Sequence, residues 1–430
     1  MSKLRNIESI LDSVSITHKF EKDKLVFLNT SDVLEGKILI DTYMNVASLK
    51  GQAKKTIKND DILYSEIRPK NKRYAYVNVN KPEDYVVSTK LMVLRNKTTE
   101  VLTKYVYYFL TYEGTLDYLQ MRAENRIGSF PQITFDIVKI LELNVPDHKT
   151  QKKIVHVIHS IDSKIETNIR INTELETMAK TLYDYWFVQF DFPDKNGKPY
   201  KTSGGKMAWN EVLKREIPSD WQDGELQEIA NIKMGQSPPG ESYNDDGEGM
   251  IFFQGCTDFG NRFPSVRQFT KAPTRFAKDG DILLSVRAPV GTLNIAKEDC
   301  CIGRGLAALN SKDNCIAYLF GVMINLKQIF DRRNVDGTTF GSITKDDLFS
   351  LKVVKPEKDI LKKYHAIINP AFQKQNKIEL ENQKLSELRD WLLPMLMNGQ
   401  VKVGDIEDEI LNIAAEPELA YLTKKSKTLK

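Results

Sequence analysis

Three short strings in this 430-residue chain carry the residue types of catalytic sites. Pro146–Asp147 followed by Asp162–Ser163–Lys164 spells the PD…DxK pattern of metal-dependent nucleases. That chemistry needs the Asp-x-Lys on a strand, so that both side chains face one metal ion. Here it falls between Ile161 and Ile165, inside a segment of helical periodicity. His156 and His159 stand at i, i+3, a spacing that can place two metal ligands on one helical face. No third ligand accompanies them, and they read as exposed histidines on a helix. Ser237–Pro238–Pro239–Gly240 echoes the Asn/Asp-Pro-Pro-aromatic loop of adenine methyltransferases. It lacks both the Asn/Asp that would hydrogen-bond the target amine and the aromatic that would stack on it. No Gly-x-x-x-x-Gly-Lys-Ser/Thr phosphate loop occurs. Cys256, Cys300, Cys301 and Cys315 lack the paired spacing of a zinc site and read as packing residues. The expectation is a non-catalytic chain with no metal site and no cofactor of its own.

The residues suited to binding are basic ones. Net charge is only +4, so bulk charge announces no polyanionic partner. Its distribution says more. Lys50, Lys54, Lys55, Lys58, Arg68, Lys70, Lys72 and Arg73 crowd one stretch, against Asp60, Asp61 and Glu66. Arg262, Arg267, Lys271, Arg275, Lys278 and Arg287 crowd another, against Asp279 and Asp281. Phosphate contact and an ordinary solvated face both fit these stretches.

The elements that must position them occur twice. Ile133–Thr134–Phe135–Asp136 matches Ile343–Thr344–Lys345–Asp346 at an offset of 343 − 133 = 210. That offset holds without a gap from Leu141/Leu351 through Pro146/Pro356, Lys153/Lys363 and Asn172/Asn382 to Leu182/Leu392. Upstream, Asp61–Ile62–Leu63–Tyr64–Ser65 matches Asp281–Ile282–Leu283–Leu284–Ser285 at 281 − 61 = 220. The chain is therefore a tandem duplication of a unit too long for a solenoid repeat. Two globular units related by a pseudo-two-fold axis are expected, and such a protein suits a two-part target.

Within each half, short strand-like runs precede a helix. Val26–Phe27–Leu28, Tyr74 to Val79, Ile251–Phe252–Phe253 and Asp281 to Val286 read as strands. Leu102 to Leu119 and Ile316 to Phe330 have helical spacing. The fold class is therefore mixed α/β. Each half ends in a long helix, beginning after Pro146 or Pro356. From Thr150 to Phe187 the first would run about 57 Å at 1.5 Å per residue. Stepping by four and three picks out a coiled-coil seam of Ile154, Ile158, Ile161, Ile165, Asn172, Leu175 and Leu182. The same steps 210 residues on give Ile368, Ile378, Asn382, Leu385 and Leu392. A helix with one apolar stripe must bury it, and its own duplicate, paired antiparallel, is the obvious partner. Asn172 and Asn382 at equivalent seam positions would fix register at some cost in stability. Asp191 to Trp221, rich in Pro, Gly, Lys and Asp, reads as a linker.

The first residues lack the apolar core of a signal peptide. No run of about 18 apolar residues offers a membrane span. Four cysteines in a chain this long fit a reducing compartment, so a cytoplasmic protein with no membrane association is expected.

The chain resembles the specificity subunit of type I restriction-modification systems. The resemblance rests on Val26–Phe27–Leu28–Asn29–Thr30–Ser31–Asp32–Val33–Leu34–Glu35–Gly36 and on Ile217–Pro218–Ser219–Asp220–Trp221. It rests also on Met234–Gly235–Gln236–Ser237–Pro238, on Ile251 to Gly255, and on Pro146 with Gln151–Lys152–Lys153–Ile154. It covers nearly the whole chain up to about Gly399. Leu361–Lys362–Lys363 departs from it, because the usual Gln is missing from the second helix. The resemblance implies a target-recognition domain over residues 1–147, a central coiled-coil helix over 148–190 and a linker with a second recognition domain over 191–355. A C-terminal coiled-coil helix over 356–400 and a tail over 401–430 complete it. It implies that each domain reads one part of a split sequence in double-stranded DNA, while the helices hold the domains apart. Two modification subunits would dock on the helices and methylate adenine with S-adenosylmethionine. Restriction subunits would add translocation and cleavage driven by ATP and Mg.

Side chains that reach base edges or phosphates from loops are the candidate DNA-binding set. In the first half these are Lys70, Asn71, Lys72, Arg73, Arg122, Arg126 and Gln132. In the second they are Gln236, Arg262, Arg267, Arg275, Arg287, Arg304 and Thr339. Arg68 and Arg287 follow the matched Asp-Ile-Leu strands at slightly different spacing and are candidates for related roles. The rival expectation is a paired-domain scaffold that binds proteins and no DNA. An Arg126→Ala substitution is expected to weaken specific DNA binding by roughly 1–3 kcal/mol if the side chain touches a base. Unchanged affinity of the assembled methyltransferase would remove Arg126 from the set.

Overall fold

The computed structural model describes residues 2–49, 51–125, 131–335 and 342–405. The chain forms two compact units. One comprises Met1–Glu166 with the segment from Asn382 onward, and the other Thr167–Glu381. Each unit thus contains one end of each long helix, His148–Tyr183 and Lys358–Met397.

In the first unit an antiparallel sheet runs in the order Leu11–Val14, Leu91–Asn96, Ile62–Ser65, Tyr74–Tyr76. A second sheet contains the parallel pair Lys24–Leu28 and Tyr85–Ser88, flanked by Met44–Asn45 and Ala53–Thr56. Successive residues on a strand face opposite ways, and the Asp-Ile-Leu-Tyr-Ser block uses this. Ile62 and Tyr64 join the core shared with the helices, while Leu63 joins the core shared with the second sheet. Both faces of this strand are buried, so it reads as an unbroken apolar run rather than an alternation.

The second unit repeats the plan. Its antiparallel sheet runs Ala230–Met234, Leu306–Ser311, Ile282–Ser285, Leu293–Ile295. Its other sheet contains the parallel pair Met250–Phe253 and Cys300–Ile302, with Phe276–Ala277 beside Cys300–Ile302. Ile282 and Leu284 face the helix-side core and Leu283 faces the other.

The duplicated aspartates hold matching turns. Asp61 accepts the Lys58 amide at 2.7 Å and the Arg95 guanidinium at 2.7 and 2.6 Å. Asp281 accepts the Lys278 amide at 2.8 Å and the Asn310 side chain at 2.6 Å. Ile133 donates its amide to Glu66, and Ile343 donates to Val286, at 2.8 and 2.9 Å. These shared bonds explain why the matched blocks are framework: buried polar groups must be paired.

Within each unit the two helix segments run antiparallel. In the second, Asn168 bonds Glu381 at 2.8 Å, Gln375 reaches the Asn172 carbonyl at 3.4 Å, and Trp186 packs on Tyr364. In the first, Arg389 meets Asp162 at 3.2 Å, while Gly399 lies beside Asn144. Ile154, Ile158 and Ile161 are buried with Leu385 and Leu392, and Ile368 and Ile378 are buried in the second unit. Ile165, Leu175 and Leu182 are half-buried. Asn382 is buried, and the Asn172 Oδ1 is buried without a hydrogen-bond partner among the described residues.

Two expectations need correction. Leu102 to Leu119 is not one helix. Tyr112 is extended, at ψ 153°, and splits it into Thr103–Thr111 and Glu113–Glu124. Nor is Asp191 to Trp221 a plain linker. It contains the hairpin Met207–Asn210 with Arg215–Pro218. Phe192 stacks between Tyr200 and Trp221, with 4.7 Å to each ring. Its polar composition hid three aromatic anchors spaced along it.

An Asn172→Leu variant should be more stable to denaturation, by about 1 kcal/mol, because it removes a buried unpaired carbonyl. Urea unfolding of the two proteins measures the difference.

Candidate nucleic-acid interface

The first-half candidates centre on the turn Pro69–Asn71. Arg68 and Lys72, on either side of it, both adopt left-handed backbone angles, at φ 44° and 53°. The helix Glu113–Glu124 lies against this turn and answers its charge. Lys70 pairs with Asp117 and, at 3.7 Å, with Glu113, and its amide donates to Gln120 at 3.2 Å. Its hydrogen bond to Asp117 raises the Lys70 pKa. Lys72 pairs with Glu113 at 2.5 Å. Arg73 donates to the Ser31 carbonyl at 2.9 Å, and Gln132 donates to Glu66 at 2.7 Å. Surface ion pairs are individually weak, but these set carboxylates beside the two ammonium groups a phosphate would seek. Asn71 and Arg122 are exposed. Arg126 lies outside the described residues.

The second-half candidates divide. Arg262 is only 5% exposed. Its guanidinium sits 4.3 Å from the Phe372 ring and bonds Asn376 on the second long helix. Burial pulls its pKa down to about 10. Arg262 was expected among the DNA contacts. Here it is a clamp between a loop and the helix, held by the Phe320 and Phe372 faces, the Asn376 side-chain oxygen and, at 3.4 Å, the Phe372 carbonyl. Arg267 is exposed and paired with Asp258 at 2.8 Å. Arg287 is exposed and forms a bridge with Ser342. Its counterpart by hydrogen bonding is Ile67, not Arg68: Ser65 and Ser285 donate their hydroxyls to the carbonyls of Ile67 and Arg287. Thr339 lies outside the described residues.

Gln236, Arg275 and Arg304 come together. The Gln236 amide donates to Ile302 at 3.0 Å, and the Ile302 amide donates to Arg275 at 2.9 Å. Thr274 donates its hydroxyl to the Gln236 carbonyl. The Arg304 amide donates to the Ser237 hydroxyl at 3.3 Å, which donates to Gln254 at 3.0 Å. All three named side chains are exposed. Glycines make the approach possible. A Cβ on Gly235 would strike the Gly303 carbonyl, and one on Gly305 would lie 2.7 Å from the Gln254 carbonyl. Ser237, Gln254 and Thr274 hold this edge and were not in the expected set. The signal for it was the run Gly303–Arg304–Gly305 opposite Gly235–Gln236, a polar side chain wherever the backbone is crowded.

The catalytic look-alikes dissolve into structure. Asp162 accepts from Tyr108 at 3.1 Å and pairs with Arg389. His159 sits 3.3 Å from Lys104. Burial pushes the Cys300 thiol up to about 12 and Cys315 to about 11. Among the described residues no group of three or more His, Cys, Asp or Glu is placed to hold a metal.

Replacing Arg262 by Ala should cost about 1–3 kcal/mol of stability by leaving Asn376 unpaired and Phe372 uncovered. Thermal unfolding checks this, and the sequence recognised should not change.

The family described as type I restriction modification DNA specificity domain matches residues 15–177 and 218–390. The HindI specificity subunit of Haemophilus influenzae, a type I restriction enzyme subunit, is 30% identical over 90% of this chain and 97% of its own length. The putative type I restriction enzyme MjaX specificity subunit of Methanocaldococcus jannaschii is 31% identical over 93% of this chain and 94% of its own. The crystal structure of the type I restriction-modification system S subunit from M. genitalium shares the fold. Its TM-score is 0.54 at 19% identity, over 92% of this chain and 96% of that one. With two matched domains and full-length relatives, the chain belongs to the family of type I restriction-modification specificity subunits.

Proposed function

We propose that this chain reads a two-part DNA target, with one α/β unit for each half-site, and leaves all bond-breaking chemistry to its partners. The observation that carries the reading is the doubled fold. The same buried aspartate turns and the same sheet order recur in both units. The exposed loop residues differ between them. A repeated frame with unlike surfaces suits two different short sequences read in the same manner. In the second unit the contact surface is the edge bearing Gln236, Arg275 and Arg304. Glutamine can pair with adenine, and arginine with guanine or phosphate.

The partners proposed are two modification subunits and the restriction subunits, with S-adenosylmethionine, ATP and Mg bound by them. A docking surface for a protein partner is supported in the second unit. Met178 of the first long helix and Tyr185 in the turn that follows it are exposed. Beside them an open groove of about 530 Å³ is lined by Thr173, Thr177, Met178, Leu182 and Tyr185. Exposed apolar groups in a row mark a contact site better than scattered ones do. A place in the cytoplasm, beside the DNA, is part of this reading; among the described residues no helix is long and apolar enough to cross a membrane.

Co-expression with a partner methyltransferase, followed by mapping of methylated adenines in the host DNA, tests the reading. One split motif with a fixed spacer is expected, lost when this chain is deleted. Methylation absent, or unchanged by the deletion, would favour a scaffold that does not read DNA.

A further inference from the structure

We propose that the first unit contacts DNA through the edge bearing Thr17, Gln52, Lys54, Thr89 and Lys90, and not through the Pro69–Asn71 turn. The inference rests on the reading of Gln236, Arg275 and Arg304 as DNA contacts in the second unit.

Hydrogen-bond register fixes the counterparts. Val87 pairs with Leu28 as Ile302 pairs with Phe253, each in a parallel ladder. Two residues beyond Val87 and Ile302 stand Thr89 and Arg304. Val87 lies opposite Lys55, and the Ile302 amide donates to the Arg275 carbonyl, so Lys55 and Arg275 correspond. Val14 pairs with Val93 as Lys233 pairs with Ala308. Three residues on from each stand Thr17 and Gln236. The same two segments touch in each unit, with the donor reversed: the His18 amide donates to the Lys54 carbonyl at 2.7 Å, and the Thr274 hydroxyl donates to the Gln236 carbonyl.

Electrostatics separates this edge from the turn. Thr17, Gln52, Lys54 and Lys90 are exposed. Neither Lys54 nor Lys90 has a carboxylate within ion-pair distance among the described residues, whereas Lys70 and Lys72 are both engaged by acids. The edge is also braced. The Lys55 ammonium is buried and donates to the Thr89 and Leu91 carbonyls at 3.1 and 2.8 Å. The Thr89 amide donates to Gln52 at 3.0 Å. Two unpaired lysines supply phosphate contacts, and the short polar side chains of Thr17, Gln52 and Thr89 between them can reach base edges.

The test uses the assembled methyltransferase and its mapped target duplex. A Lys54→Ala/Lys90→Ala variant should flatten the log affinity against log salt plot by roughly two, about one per lysine. Gln52→Ala should lower discrimination about tenfold at a position within one half-site only. Lys70→Ala/Lys72→Ala should leave the slope as it is, and thermal melting should show all variants folded. If the Lys70/Lys72 pair changes the slope and the Lys54/Lys90 pair does not, the proposal is wrong. Arg304→Ala separates the two levels. If it weakens binding while the Lys54/Lys90 variant does not, only the first-unit assignment falls. If neither does, the second-unit reading falls with it.

Discussion

Everything in this chain depends on hiding the apolar stripe of two long helices. The His148–Tyr183 and Lys358–Met397 helices are too long and too one-sided to stand in water. Each unit solves the problem locally, with one end of each helix and its own sheets. Ile154, Ile158 and Ile161 share a core with Leu385, Leu392 and the sheet residues Ile62 and Tyr64. Tyr364, Ile368 and Phe372 do the same with Trp186, Phe187 and Ile282. The same core residues therefore hold a unit's sheet and the antiparallel pairing of its helix segments. Polar seam residues such as Asn168 and Gln375, with Asp162 against Arg389, add direction to an otherwise permissive apolar contact.

On that base the duplication separates what must stay from what can vary. The strand Ile62–Ser65 and its partner Ile282–Ser285 are buried on both faces, and their preceding aspartates tie identical turns. Neither can change without leaving a buried polar group unpaired or a core unfilled. The loops leading from the second sheet carry no such obligation. Arg304 between two glycines in one unit and Thr89 beside Lys90 in the other occupy matching places with unlike chemistry. A specificity subunit needs this division, because its frame must meet the same partners whatever bases its loops read.

The two units also differ where the frame touches the helix. In one, Arg389 and Tyr108 surround Asp162 on the helix face. In the other, the position 210 residues on is Phe372, and it carries the buried guanidinium of Arg262. An ion pair has been exchanged for a cation–π contact at the same helix position. Polarity at the joint is retained in both, although the residues are unrelated.

The sequence by itself determined the duplication, the α/β character, the antiparallel helix seam and the resemblance to specificity subunits. These rest on periodicity and repetition, which are local and countable. It also marked the basic stretches, but not which of their charges remain available. Lys70 and Lys72 lie in the denser stretch, yet Glu113 and Asp117 arrive from a helix some forty residues on to pair with them. Arg262 is drawn inward by Asn376, 114 residues further along. Phe192, stacked on Tyr200 and Trp221, ties the two ends of an apparent linker together. Only the tertiary structure could decide these cases. A side chain's electrostatic and packing partners are set by which distant segments the fold brings beside it, and no spacing within one segment records that.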